Sequence, residues 1–275
     1  MNLFSVIDEI QQVDPEFEDR VSPRRAAIKN ITSFGSKVAV AALPFALSTL
    51  FKKAYGQANA AVNDVLNFAL MLEYLEAYFY NQGLAQANLI PSVHKSYLTT
   101  IAGHENKHVA FLKNILGSAA IASPKFDLTA RGIFGDVLTN YNTYLIVAET
   151  FEDTGVRAYK GQVGNLLGNQ VVLTAALQIH STEARHASAI RYLRALRGIN
   201  IKPWVSGTGT VFNDTGVIAA NASYANENNT VQNGIDITTL NAVNGTTSIT
   251  AAIEAFDEPL DKATVLNILV PFIVS

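Results

Sequence analysis

The chain has 275 residues, 49% of them apolar and 16% charged, with a net charge of −3, five histidines and no cysteine. Lacking cysteine, it holds no disulfide, thiolate-bound zinc or iron–sulfur cluster and no thiol nucleophile. It has no long basic block, so nucleic acid is not an expected partner.

Residues 1–60 read as an export signal or an N-terminal helix. A polar, acidic start gives way to Ser22, Pro23, Arg24, Arg25, Ala26, Ala27, Ile28 and Lys29. An apolar stretch from Val38 to Phe51 follows, then the small residues around Ala58 and Ala60. Basic, apolar and small, in that order, is the layout of a secretory signal. The arginine pair resembles a twin-arginine signal, with Pro23 where serine or threonine is usual and Ala27 where phenylalanine is usual. The expectation is export to the periplasm or the exterior. The alternative is a cytoplasmic protein whose N-terminal amphipathic helix packs on the rest. The apolar run is interrupted and too short for a stable membrane span.

Residues 61–198 carry apolar positions at three- and four-residue spacing, which predicts helices over about 61–83, 91–116, 136–162 and 168–197. Gly83, Gly117 and Gly198 suit C-terminal ends, and Pro91 suits a first turn. Helices of ~25 residues are ~37 Å long. Short links make each consecutive pair an antiparallel hairpin. The segment from Gly117 to Asp136, nearly twenty residues and up to ~60 Å when extended, can run the length of a bundle. The expected fold class is therefore all-α: a four-helix bundle with one long crossover. Residues 199–275 form an extension. Its Asn/Thr/Gly-rich part, 202–247, reads as loop with a short hairpin near Ile235–Leu240 and shows no chemistry. Short helices are expected over Ile249–Phe256 and Ala263–Ile273, the second capped by Asp261 and disturbed by Pro271.

The second and fourth helices each contain Glu-x-x-His, as Glu105 with His108 and Glu183 with His186. Residues three apart lie ~60° apart on a helix, so each pair aims one carboxylate and one imidazole the same way. The first helix interrupts an apolar run with Glu73 and Glu76, the third with Glu149 and Glu152. Buried carboxylates need compensation, and a pair of divalent cations would supply it to all of them. A Glu from each of two helices plus Glu-x-x-His from each of the other two is the ligand set of dinuclear carboxylate bundles. Glu73 and Glu152 each precede a tyrosine, Tyr80 and Tyr159, by seven residues. That parallel favours them as ligands with the tyrosines as hydrogen-bonding supports, and leaves Glu76 and Glu149 as alternatives.

These stretches resemble the ferritin-like superfamily, and within it the desiccation-related, ferritin-like domain branch. The resemblance is carried by Leu72-Glu73-Tyr74-Leu75-Glu76 with Phe79-Tyr80, by Glu105 and His108, by Phe151-Glu152 with Gly155-Val156 and Ala158-Tyr159, by Glu183-Ala184-Arg185-His186, and by the tail Phe256-Asp257-Glu258-Pro259-Leu260. It implies a bundle with a dinuclear site and iron or manganese; zinc fits the same donors. The expected metal ligands are Glu73, Glu105, His108, Glu152, Glu183 and His186. O2, peroxide or metal ions are the expected partners, in a redox role that is ferroxidase-like or peroxide-consuming, and self-association is compatible with the fold. The alternative is a stress-protective bundle whose metal only stabilises it.

His104 makes the second-helix motif also read as the His-Glu-x-x-His of zinc peptidases, but the positions for a third ligand three and six residues on are Phe111 and Asn114. That reading ranks third, and His104 is expected to support a ligand or face solvent. His94 is expected to be exposed and His180 structural. Arg185, Arg191, Arg194 and Arg197 are expected to form a solvated face, and Tyr78 and Phe79 to lie in the core.

Overall fold

The computed structural model describes residues 60–207, 212–242 and 245–274, so the expected export signal lies outside the described residues. Four long helices dominate: α1 (Ala60–Ala85), α2 (Lys95–Leu116), α3 (Tyr141–Leu166) and α4 (Gln170–Ala195). α2 and α3 begin four to five residues later than the periodicity suggests. Pro91 therefore stands in a turn before α2, with Asn140 capping α3 by accepting from the Asn142 amide. Asn169 caps α4 in the same way, through the Val172 amide. Gly83 lies inside α1 rather than at its end, at a point where a β-carbon would run into the Tyr144 ring packed against it.

The long link between α2 and α3 holds a two-residue strand, β1 (Lys125–Phe126), which pairs antiparallel with the C-terminal strand β6 (Ile273–Val274). In the extension, β2 (Val231–Gln232) pairs with β3 (Ile235–Asp236) and β4 (Asn241–Ala242) with β5 (Gly245–Thr246). Two short helices follow, α5 (Ile249–Glu254) and α6 (Lys262–Leu269). Asp261 caps α6 through the Thr264 amide at 2.8 Å, and a 3-10 turn over Val270–Phe272 takes up Pro271. No described helix is long and apolar enough to cross a membrane.

Two apolar clusters fill the bundle. One holds Phe79, Leu98, Tyr144, Phe151, Ile190 and the tail residues Leu269 and Phe272. The other holds Leu66, Leu70, Leu112, Leu166, Val172 and Ile179. On α2 and α4 the candidate ligands fall between the segments assigned to the two clusters, so an apolar layer lies toward each end of the polar centre. The tail is held where α3 lacks a side chain: a β-carbon on Gly161 would strike the Leu260 carbonyl, and the Leu260 amide donates to the Arg157 carbonyl at 3.1 Å.

Candidate metal centre

Each helix delivers its polar residues at mid-length. Glu73, Glu105, Glu152 and Glu183 have no solvent exposure, and His186 is buried. His108 keeps 14% of its side chain exposed. Around His108 Nδ1 stand Glu73 Oε2 at 3.1 Å, Glu105 Oε2 at 3.0 Å and Glu183 Oε1 at 3.2 Å. Around His186 Nδ1 stand Glu105 Oε1 at 2.8 Å, Glu152 Oε2 at 3.2 Å and Glu183 Oε2 at 3.6 Å. Glu105 and Glu183 thus give one oxygen to each cluster, while Glu73 and Glu152 each serve one. The reciprocal contacts of Glu105 with His186 and of His108 with Glu183 make α2 and α4 antiparallel at this level.

These donor sets fit divalent cations. A single ring nitrogen has one proton at most, yet three carboxylate oxygens crowd each Nδ1. Glu105 Oε1 and both Glu183 oxygens are buried without a hydrogen bond, because the approaching imidazoles lie off the N–H direction. Donors ~2.1 Å from an octahedral ion are ~3.0 Å from one another, close to the spacing here. At this centre two groups, Glu73/Glu105/His108/Glu183 and Glu105/Glu152/Glu183/His186, have geometry that could hold a metal ion; a third group of that kind, Glu149/Asp153/Asp214, is faced by Arg191 and Arg194 instead.

The charge balance points the same way. Burial pushes the Glu73 carboxyl up to about 7 against the pull of His108, and lifts Glu76 and Glu152 well above the carboxylate range. Burial opposes ionisation of Glu105 as well, but the close approach of His108 and His186 to its two oxygens overcomes it and draws that group down to about 2. Desolvation would lower both imidazoles, yet the surrounding carboxylates raise His108 strongly and His186 to about 12. In the metal-free chain, protons stand where cations would.

The supporting residues are crossed between helices. Tyr80 of α1 donates to Glu152 of α3, and Tyr159 of α3 donates to Glu73 of α1 at 2.5 Å. By spacing alone, the same tyrosines fall on the face of their own helix's Glu. Seven residues rise ~10.5 Å along the axis, so the hydroxyl reaches the facing helix instead. The exchange makes α1 and α3 antiparallel and gives the site an approximate twofold. Glu76 is buried beside Glu183, and a β-carbon at Gly155 would come within 3.2 Å of its Oε1; Glu76 belongs to neither donor group. His104 also belongs to neither, its Nδ1 lying 2.9 Å from His186 Nε2.

Several expectations are corrected. Glu149 faces away from the centre and receives Arg194 at 2.7 Å. Arg191 and Arg194 are buried rather than solvated: Arg191 donates to both Asp153 oxygens and to Asp214, and Arg194 also reaches the Thr215 carbonyl. Tyr224 completes this network on Asp153 at 2.6 Å. Arg157, also buried, meets Glu227 at 2.8 Å. The extension therefore supplies Asp214, Tyr224 and Glu227 as partners to bundle residues. The acid pair Glu149/Asp153, one turn apart on α3, was the available signal. Arg185 and Arg197 are exposed as expected. His94 is buried rather than exposed and meets Tyr141 Oη at 3.2 Å, because it precedes α2 and turns inward over α3. Tyr78 is 38% exposed rather than core, resting on Phe126 of the crossover, whereas Phe79 is fully buried. His180 is structural as expected, bonded to the Val156 carbonyl at 2.9 Å.

The buried Arg network is an internal control. Where this chain neutralises acids without metal, it sets guanidinium groups against them. At the centre, five buried glutamates, Glu76 included, face two imidazoles, and among the described residues no Lys or Arg hydrogen-bonds or ion-pairs with any of them. Compared with known families, residues 61–196 match the model of a ferritin-like domain. No curated protein matches the chain.

Proposed function

Because residues 61–196 make this chain a member of the ferritin-like domain family, we propose that it is a dinuclear iron or manganese protein with an oxidative role, ferroxidase-like or peroxide-consuming. The observation that carries this reading is the pair of buried carboxylates, Glu105 and Glu183, each turning one oxygen to His108 and the other to His186.

Glu73, Glu105, His108 and Glu183 would hold one ion, and Glu105, Glu152, Glu183 and His186 the other. Two adjacent redox-active ions would supply or accept two electrons in reactions with O2 or peroxide. The protein's own part is positional. Tyr159 and Tyr80 fix the outer carboxylates Glu73 and Glu152, and His104 holds His186 so that its Nδ1 faces inward. Apolar layers on both sides keep bulk water from the carboxylates and strengthen every charge interaction among them. His104 is engaged with His186 and shares no donor group with His108, which gives the peptidase reading no support.

The test is to load the purified protein with iron or manganese and follow Fe(II) oxidation and peroxide consumption. Turnover should be present in the wild type and absent in Glu105→Ala, with helicity retained in both. Two tightly bound ions without turnover of either substrate would favour the alternative, a stress-protective, desiccation-related bundle that metal merely stabilises. The arginine pair Arg24-Arg25 and the apolar segment after it support export of the folded, metal-bearing chain, which the N-terminal mass of protein from its native host would check.

A further inference from the structure

We propose that substrate reaches the centre through the cleft between α2 and α4, and that this cleft admits a small uncharged molecule bearing a hydroxyl or hydroperoxyl group, not a ferrous ion. The proposal rests on the dinuclear reading above and narrows its substrate. The cleft encloses about 290 Å³ and is open to solvent. α2 contributes one face, Ser96, Tyr97, Thr100, Ile101 and His104, at helical spacing, and α4 contributes His186 and Ala189. α2 and α4 touch only sparsely, in contrast to the tightly packed pairs α1–α2 and α3–α4. Small Ala189 keeps the gap open one turn beyond His186.

The floor of the cleft is the His104–His186 pair, joined at 2.9 Å with rings 15° from parallel. His186 Nδ1 lies on the far side of the same ring, among the carboxylates. A molecule on the floor is thus one imidazole away from the proposed ions. This side is distinct from the other half of the twofold. The position matching His104 on α4, four residues before the motif histidine, is Thr182, which bonds back to the Gln178 carbonyl at 2.9 Å.

The lining decides the substrate class. Among the described residues it contains hydroxyls, an imidazole pair and apolar carbon, but no carboxylate and no Lys or Arg. A divalent ion is steered by acidic walls and held most strongly by charged carboxylates; this path offers no carboxylate, only hydroxyls and imidazoles. An uncharged hydroxyl can exchange hydrogen bonds with Ser96, Thr100 and His104. At the rim, the half-exposed rings of Tyr97 and Tyr192 stand 6.0 Å apart and offer aromatic faces to an organic group. The volume lies at the small end of the ~300–1,000 Å³ of ligand pockets, which suits a small hydroperoxide or phenol.

Cobalt(II)-loaded protein gives a readout independent of turnover. Phenol, as an unreactive probe, should produce a saturable change in the visible cobalt spectrum. That response should weaken about tenfold or more in Ala189→Phe and in Thr100→Trp, the latter at an exposed helix position that leaves the core intact. Cobalt content should stay at two per chain, one for each donor group. The rate of cobalt uptake should stay within about twofold of wild type, since ions do not use the cleft. An unchanged phenol response in Thr100→Trp overturns the proposal. Cobalt uptake slowed about tenfold by that variant also overturns it, making the cleft the ion's path. No phenol response in a wild type that dimerises, with Thr100→Trp splitting the dimer, overturns it in favour of an interface between copies. Failure of the wild type to bind cobalt removes the metal premise itself, a different and recognisable result.

Discussion

Replacing single carboxylates by amides should sort the four central glutamates into two classes. Glu105 and Glu183 each face both imidazoles, so Glu105→Gln and Glu183→Gln should empty both metal positions. Glu73 faces only His108 and Glu152 only His186, so each of those amides should empty one position and leave the other filled. A ligand at about 100 times its dissociation constant stabilises the folded state by ~2.7 kcal/mol per site. A domain of this size gains ~2–4 °C per kcal/mol. Two filled sites should therefore raise the melting temperature by ~11–22 °C, one site by about half of that, and none not at all. Each shift has to be measured against the same variant without metal, because Glu105 also serves the metal-free fold. Its carboxyl is drawn from 4.5 to about 2 by the two imidazoles, so its loss alone costs on the order of 3 kcal/mol at neutral pH. The assay is elemental analysis after desalting, paired with calorimetry with and without metal. If Glu105→Gln retains one ion, or Glu73→Gln loses both, the shared-carboxylate geometry is wrong.

Metal binding should release protons and weaken progressively as pH falls through the whole neutral range, because cations must displace the protons held by His108, by His186 below about 12 and by the raised Glu152, with Glu73 adding to the effect below about 7; titration calorimetry in two buffers of different ionisation heat measures this. Without metal, the imidazoles are raised above 6.5, so their contribution to stability is complete below that value and declines as pH rises through their folded values. Glu105 acts oppositely, its contribution being present above 4.5 and lost toward about 2, and Glu73 costs stability as pH climbs from 4.5 to about 7. Arg194→Met leaves the buried Glu149 with only the longer Arg191 contact at 3.7 Å and should destabilise the chain by about 3 kcal/mol without changing metal content; adding Glu149→Gln should recover much of the loss in denaturant melts. Gly161→Ala pushes a methyl into the Leu260 backbone and should cost about 1–3 kcal/mol, seen as faster proteolysis between α5 and α6.

The bundle and its centre were legible in the sequence because helical geometry converts spacing into direction. Glu-x-x-His on two helices and carboxylates interrupting two apolar runs state which way each side chain faces, whatever lies across the core. Partners across the core are another matter. The seven-residue step from Glu73 to Tyr80 selects the right tyrosine but assigns it to its own helix, because sequence spacing carries no information about the facing rod. The arginines show the same limit more sharply. Arg191 and Arg194 lie three apart on one stripe of α4, which reads as a solvated face unless something covers it. What covers it is the segment carrying Asp214 and Tyr224, whose Asn- and Thr-rich composition gives no periodicity to place it.

That covering has a consequence for how the centre is built. A guanidinium placed among Glu73, Glu105, Glu152 and Glu183 would satisfy them as Arg194 satisfies Glu149, and would leave no place for an ion. The chain has buried arginines available, and on α3 and α4 it directs all of them outward from the axis, into the extension. Positive charge is thereby spent on the Glu149, Asp153, Asp214 and Glu227 shell, and the axial glutamates keep a deficit that two imidazoles cannot fill. On this argument the extension does more than pad one face. By giving Arg157, Arg191 and Arg194 acidic and carbonyl partners outside the bundle, it keeps them from collapsing onto the axial carboxylates, and so preserves the charge imbalance that makes cation binding favourable.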